Sequence, residues 1–186
     1  MNAPVVPKQR MKVPEFLAWA ETQPDGRFEL VDGIVITKPL ERLLHNLVKG
    51  AVARALGDAV RAAGLPCTVL ISGAGIAIGD HTVFDPDVSV QCGQKLDLDA
   101  MLLEAPLIVV EIASPSKARF SERLVDYFSL PSVCHYLIIH SEKRAVVHHR
   151  RNGRGALDTG IAHPGDDIAL DPPGITVPVV ALLGPS

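Results

Sequence analysis

The chain has 186 residues, 47% apolar and 21% charged, a composition that builds one globular domain and excludes disorder over most of the length. Eighteen Lys and Arg against 21 Asp and Glu leave a formal net charge of -3, so bulk electrostatic attraction cannot drive nucleic-acid binding and any contact with DNA requires a local patch. Aromatics at 4% leave few rings for a base-stacking platform.

Residues 1–12, with Pro4 and Pro7, read as a lead-in, and residues 13–186 as a single domain. Lys8, Arg10 and Lys12 precede no apolar stretch of the roughly 7 to 15 residues a signal peptide needs, and no run is long enough to cross a bilayer. A cytoplasmic protein is the expectation. Pro14 in a first turn, then Phe16, Leu17, Trp19 and Ala20, predicts a short helix that stops before Pro24-Asp25-Gly26. Phe28 to Val31 and Ile34 to Thr37 flank Asp32-Gly33, the signature of a two-residue hairpin. From Glu41 to about Ala63, Leu44, Leu47, Val48, Ala51, Ala55 and Val60 recur at helical spacing, and Gly64 with Pro66 ends the element.

Strands follow. Cys67 to Ser72 and Gly75 to Ile78 are β-rich, and Val88 to Cys92 alternates, which predicts one buried face. Leu107 to Ala113 is a nearly continuous apolar run, as in a central strand. Ser116 to Leu130 reads as a helix, His135 to His140 and Ala145 to His149 as strands, and the last 30 residues as an edge hairpin with a terminal strap. Three scattered cysteines, Cys67, Cys92 and Cys134, without a CxxC pair, predict reduced thiols and neither a disulfide framework nor a zinc ribbon. The expected class is mixed α/β (α+β), with helices around one mixed sheet.

The chemistry begins with a carboxylate in the most apolar segment, Glu111 in Ile108-Val109-Val110-Glu111-Ile112-Ala113. Burying even an uncharged polar group without a partner costs roughly 2 to 7 kcal/mol, so Glu111 requires a counterpart. Asp87 precedes a second β run. If the two strands are neighbours, Asp87 and Glu111 meet at one sheet end, and a divalent cation relieves their repulsion. Oxygen ligands select Mg²⁺ or Mn²⁺, which activates water and stabilises phosphoryl charge. The plainer alternatives are a turn residue after Pro86 for Asp87 and an ion pair with Arg or Lys for Glu111.

The ordered set Phe28-Glu29-Leu30-Val31-Asp32-Gly33, His45, Pro86-Asp87-Val88-Ser89-Val90, Val110-Glu111-Ile112-Ala113-Ser114-Pro115-Ser116 and Leu130-Pro131-Ser132-Val133 before His135-Tyr136-Leu137-Ile138 resembles the Uma-two family, described as restriction endonucleases within the PD-(D/E)xK nuclease superfamily. The resemblance covers about Val13 to Leu183. It implies a restriction-endonuclease-like core, a mixed sheet flanked by helices, and a metal-dependent DNA endonuclease. The metal carboxylates would be Asp87 and Glu111, the hairpin acid Glu29 and the helix histidine His45. The superfamily lysine two residues after the strand glutamate falls on Ala113. The family often supplies it from the next helix, four residues before the tyrosine that matches Tyr127, and that position holds Arg123. Lys117 is a second candidate. Arginine keeps the charge but does not serve as a base, so the alternative is a catalytically impaired nuclease fold that binds nucleic acid or a protein partner.

For His45 the options are a phosphate contact, an orienting contact to Glu29, or a surface position. His148 and His149 are neighbours on a strand and face opposite ways. Residues 143–154 carry Lys143, Arg144, Arg150, Arg151 and Arg154 without an acid, a candidate backbone-binding patch for DNA or a solvated turn. Lys117, Arg119 and Arg123 form a second cluster. Cutting both strands of a duplex suits a homodimer.

Overall fold

The computed structural model describes residues 6–23, 26–93, 95–114 and 120–185. Helix α1 (Val13–Glu21) starts with Pro14 in its first turn, and the Glu15 carboxylate accepts the Lys12 N–H at 2.7 Å. Strands β1 (Phe28–Val31) and β2 (Ile34–Thr37) form the expected hairpin, with Asp32 at φ 50° and Gly33 at φ 81°. Two consecutive positive φ values define the type I′ turn that Asp-Gly favours. Helix α2 (Leu43–Ala62) follows as one element through Gly50 and Gly57.

The remaining elements are β3 (Cys67–Ile71), β4 (Ile76–Ile78), β5 (Thr82–Phe84), β6 (Val88–Cys92), β7 (Pro106–Ile112), α3 (Phe120–Ser129), β8 (His135–His140), β9 (Ala145–Arg151), β10 (Leu157–Ala162), β11 (Asp167–Leu170), β12 (Ile175–Pro178) and α4 (Val179–Leu182). A six-stranded mixed sheet runs β10-β9-β8-β7-β6-β3, with β7 and β8 parallel. A parallel neighbour requires a crossover, and α3 lies on it. A second sheet runs β2-β1-β5-β4, and β11 pairs with β12. None of the described helices is long and apolar enough to cross a membrane.

Two apolar layers enclose the large sheet. Val48, Val52, Leu56 and Val60 of α2 pack with α4 and the β11–β12 hairpin against Val88, Val90, Ile108, Val110 and Ile112. On the other face Phe84, Val109, Tyr127, Val133, Tyr136 and Ile138 pack together. β6 therefore buries both faces, where its alternation predicted one, because Ser89 and Gln91 lie beneath this second layer. Gln91 is satisfied there by accepting the Ala105 N–H at 3.0 Å. The three-residue β5 carries too little pattern to be read from the sequence.

The cysteine expectation is overturned for one pair. β3 and β6 run antiparallel with Cys67 directly opposite Cys92, and the two form a disulfide across a Cα separation of 3.9 Å. Spacing along the chain could not show this, because the partners meet only through strand register. Cys134 is a free thiol.

Candidate active site at the β6–β7 ladder end

Val88 lies opposite Val110 in the antiparallel β6–β7 ladder, so Asp87 and Glu111 come to the same end of it. Both are fully buried. One oxygen of Asp87, Oδ2, accepts the Ile112 N–H across the ladder at 2.7 Å. The other, Oδ1, faces His45 Nε2 at 3.0 Å. A carboxylate only accepts, so Nε2 carries the proton in this contact.

Helix α2 brings more than the histidine. His45 and Lys49, four apart, share one face of α2, beside the apolar face led by Val48 and Val52, and Glu41 lies two residues before the first residue of the helix. The Lys49 ammonium donates to Glu41 Oε2 at 2.5 Å and to Ser72 Oγ at 2.9 Å, and lies 3.7 Å from Asp87 Oδ1. One ligand atom each from Glu41, His45 and Asp87 lies within 4.8 Å of the others, a group able to hold a metal ion.

β1 and α3 complete the opposite side. Glu29 Oε1 accepts the Asp85 N–H at 3.0 Å. Arg123 donates Nη1 to Glu111 Oε1 at 2.6 Å and Nη2 to Glu29 Oε2 at 2.5 Å, with its guanidinium 4.4 Å above the Phe84 ring. The Tyr127 hydroxyl donates to the same Glu111 oxygen at 3.0 Å. Arg27 bridges Glu41 and Asp85, each at 2.9 Å, and Lys38 contacts Asp85 at 2.9 Å and approaches Glu29 at 3.7 Å.

These contacts form a chain of alternating charge, Glu111–Arg123–Glu29–Lys38–Asp85–Arg27–Glu41–Lys49–Asp87. Burial pushes Asp85 upward, but Lys38, the Gly73 N–H and Arg27 outweigh it and hold the carboxyl below its usual range. Glu41 follows the same balance, with Lys49 and Arg27 outweighing burial. Burial opposes the charge on Arg123, and Glu111, Tyr127 and Glu29 together more than restore it, so the guanidinium is held charged. Burial, then Glu111, raises the Tyr127 phenol well above its usual value, which keeps it a donor.

The structure thus brings together Asp87, Glu111, Glu29, His45 and Arg123. His45 meets Asp87, not Glu29, which is held by Arg123 and Lys38. Lys117 and Arg119 lie outside the described residues. The cationic run on β9 and the turn before it sits elsewhere. Arg151 donates to the carbonyls of Phe128, Leu130 and Val133, fastening the end of α3, and Arg150 faces Asp158 at 3.5 Å. Arg144 occupies the β8–β9 turn at φ 50°, and Lys143 beside it is exposed. His148 and His149 do face opposite ways, the first toward His135 and the second toward Thr159. Sequence reasoning missed Lys49, Lys38, Arg27 and Asp85 as members of the cluster. The four-residue spacing of Glu41, His45 and Lys49 was the available signal.

The fold matches a crystal structure of a "putative nuclease belonging to DUF820" from Anabaena variabilis, with a TM-score of 0.75, 19% identity, and coverage of 93% of this chain and 97% of that one. No curated protein matches. Residues 13–179 match the profile of the family described as "Uma2: Putative restriction endonuclease", and the chain belongs to that family.

Proposed function

We propose that this chain is a divalent-metal-dependent DNA endonuclease, with the cation held by Asp87 and Glu111 and assisted by His45 of α2 and by Glu41 just before that helix. The observation that carries the reading is the burial of Asp87 and Glu111 at one ladder end, with the His45 imidazole on the first. The donors fit the ion. Carboxylate oxygens suit Mg²⁺ and Mn²⁺, and the imidazole tilts the set toward Mn²⁺.

When bound, such an ion supplies charge stabilisation at a phosphoryl oxygen and lowers the pKa of water. The protein's own part is preorganisation. Ile112 N–H fixes one oxygen of Asp87, and Tyr127 and Arg123 fix one oxygen of Glu111. His45 holds the Nε2 proton given to Asp87, and moving it to Nδ1 frees Nε2 as a donor atom. DNA is the substrate class the family description suggests, and for a duplex a two-fold dimer would place one site on each strand.

A second reading, a nuclease fold kept for binding, is favoured by one observation: Ala113 stands where a lysine is expected, and Arg123 is committed to two carboxylates. Incubating supercoiled plasmid with the protein and Mn²⁺ or Mg²⁺ separates the two. Nicking that vanishes in Asp87→Ala supports the endonuclease. Binding of DNA without cleavage under either metal supports the second reading.

A further inference from the structure

Strand β10 (Leu157–Ala162) closes one edge of the six-stranded sheet, paired with β9 on one side and with no strand on the other. At the mouth of the β9–β10 hairpin the Asn152 N–H donates to the Ala156 carbonyl at 2.9 Å. Antiparallel pairing alternates from there. Asp158, Gly160 and Ala162 exchange bonds with β9, while the N–H and C=O groups of Leu157, Thr159 and Ile161 point outward. No described residue bonds to those outward groups. The devices that usually blunt a free edge are missing, since β10 has no proline, no lysine and no bulge against β9. Its one charge, Asp158, accepts from Asn152 at 3.0 Å and faces Arg150 at 3.5 Å. Leu157 and Ile161 are 41% and 65% exposed. At the opposite edge of the sheet, by contrast, the Cys67 N–H of β3 is spent on the Leu65 carbonyl at 2.8 Å.

We propose that β10 docks β10 of a second copy of this chain, joining the two six-stranded sheets into one continuous sheet. The strand's own sequence selects this occupant. Run antiparallel against itself with Thr159 opposite the partner's Thr159, β10 sets Leu157 against the partner's Ile161 and Ile161 against the partner's Leu157. That register matches aliphatic with aliphatic and threonine with threonine on one face, both favourable cross-strand pairs. On the other face Asp158 lies opposite the partner's Gly160, so no like charges meet. The three outward-facing residues become hydrogen-bonded pairs, the geometry their backbone groups already present. A single strand pair is a small interface, and the dimer is expected to be reversible and concentration-dependent. Because the partner's strands run the opposite way, the two Asp87–Glu111 ends lie at opposite ends of the joined sheet. This assembly is therefore distinct from a dimer that would set one site on each strand of a duplex, and it does not depend on the metal-dependent reading.

Sedimentation velocity of the full chain, run from micromolar to near-millimolar concentration, tests the edge. The wild type is expected to shift from monomer to dimer across that range. Thr159→Pro removes an outward N–H while sparing the bonds to β9, and Ile161→Lys places a charge on the edge. Each is expected to lose the dimer boundary, and the lysine variant serves if the proline disturbs the hairpin, with circular dichroism confirming each fold. Cysteine cross-linking in a Cys134→Ser background reads the register. Thr159→Cys sets two cysteines opposite each other in a hydrogen-bonded pair, with Cα atoms about 5.5 Å apart and within disulfide range. It is expected to give a linked dimer on a non-reducing gel that Asp158→Cys does not form. A wild type that stays monomeric throughout overturns the proposal, as does a dimer that survives both edge substitutions. A dimer lost in both variants but without the Thr159→Cys link overturns the self-paired register on which the proposal rests.

Discussion

Asp87 and Ile112 are joined across the β6–β7 ladder by a 2.7 Å hydrogen bond from the Ile112 amide to Asp87 Oδ2. This bond turns an acid outside its strand into a fixed member of the sheet, with its second oxygen left to His45. Position and chemistry are therefore coupled. Asp87→Ala leaves the Ile112 N–H buried without its acceptor and is expected to lower stability by about 1–3 kcal/mol while abolishing Mn²⁺ binding. Urea unfolding and metal titration on the same sample check both effects. Intact metal affinity would remove Asp87 from the ligand set.

Lys49 neutralises Glu41 and Asp87 from α2. Lys49→Met strips the cation from a buried pair and is expected to cost about 3–5 kcal/mol. If the ammonium and the metal share the task of balancing these acids, millimolar Mn²⁺ restores more stability to the variant than it adds to the wild type. Denaturant midpoints with and without Mn²⁺ measure this, and equal gains would contradict it.

A second histidine pair makes stability depend on pH away from the site. His135 Nε2 donates to the Pro172 carbonyl at 2.8 Å, which leaves Nδ1 to accept from His148 Nε2 at 2.9 Å. His135 is thus neutral. Burial, then His135 and Arg150, lowers His148 from about 6.5 to about 4, and burial lowers His135 as well. The unfolded chain binds more protons than the folded one between these values. The contribution is therefore complete above about pH 6.5 and declines as pH falls toward 4. Thermal unfolding of wild type and His148→Gln across pH 4 to 7.5 should show a shallower acid slope in the variant, and parallel slopes would refute the assignment.

The disulfide closes a loop with a sequence separation of 25, for which chain entropy gives about 3 kcal/mol of stabilisation. Thiol titration of the denatured, unreduced protein should find one reactive group, Cys134, and three after reduction. Reduction should lower the melting temperature, and Cys67→Ser with Cys92→Ser should melt at that lower value. Three thiols before reduction would show the pair to be open.

Local patterns revealed the parts of this molecule that depend on local physics. Asp32-Gly33 demands its turn through backbone conformation, α2 shows helical periodicity, and the apolar run around Glu111 marks a central strand. Features set by tertiary register stayed hidden. Cys67 and Cys92 become partners only when β3 lies antiparallel to β6. Lys49 looks like any polar helix residue until Glu41 and Asp87 are placed around it. Arg151 counts as one more cation in a basic run, yet its guanidinium binds three carbonyls at the end of α3. Charge counted along a sequence does not report where each charge is already engaged.

The most direct test of the central claim is a calorimetric titration of Mn²⁺ into the metal-free protein and into Glu111→Gln. Binding is expected in the wild type and its loss in the variant, with the variant's fold confirmed by circular dichroism. Binding of equal strength in both proteins, or in neither, with and without DNA, would contradict it.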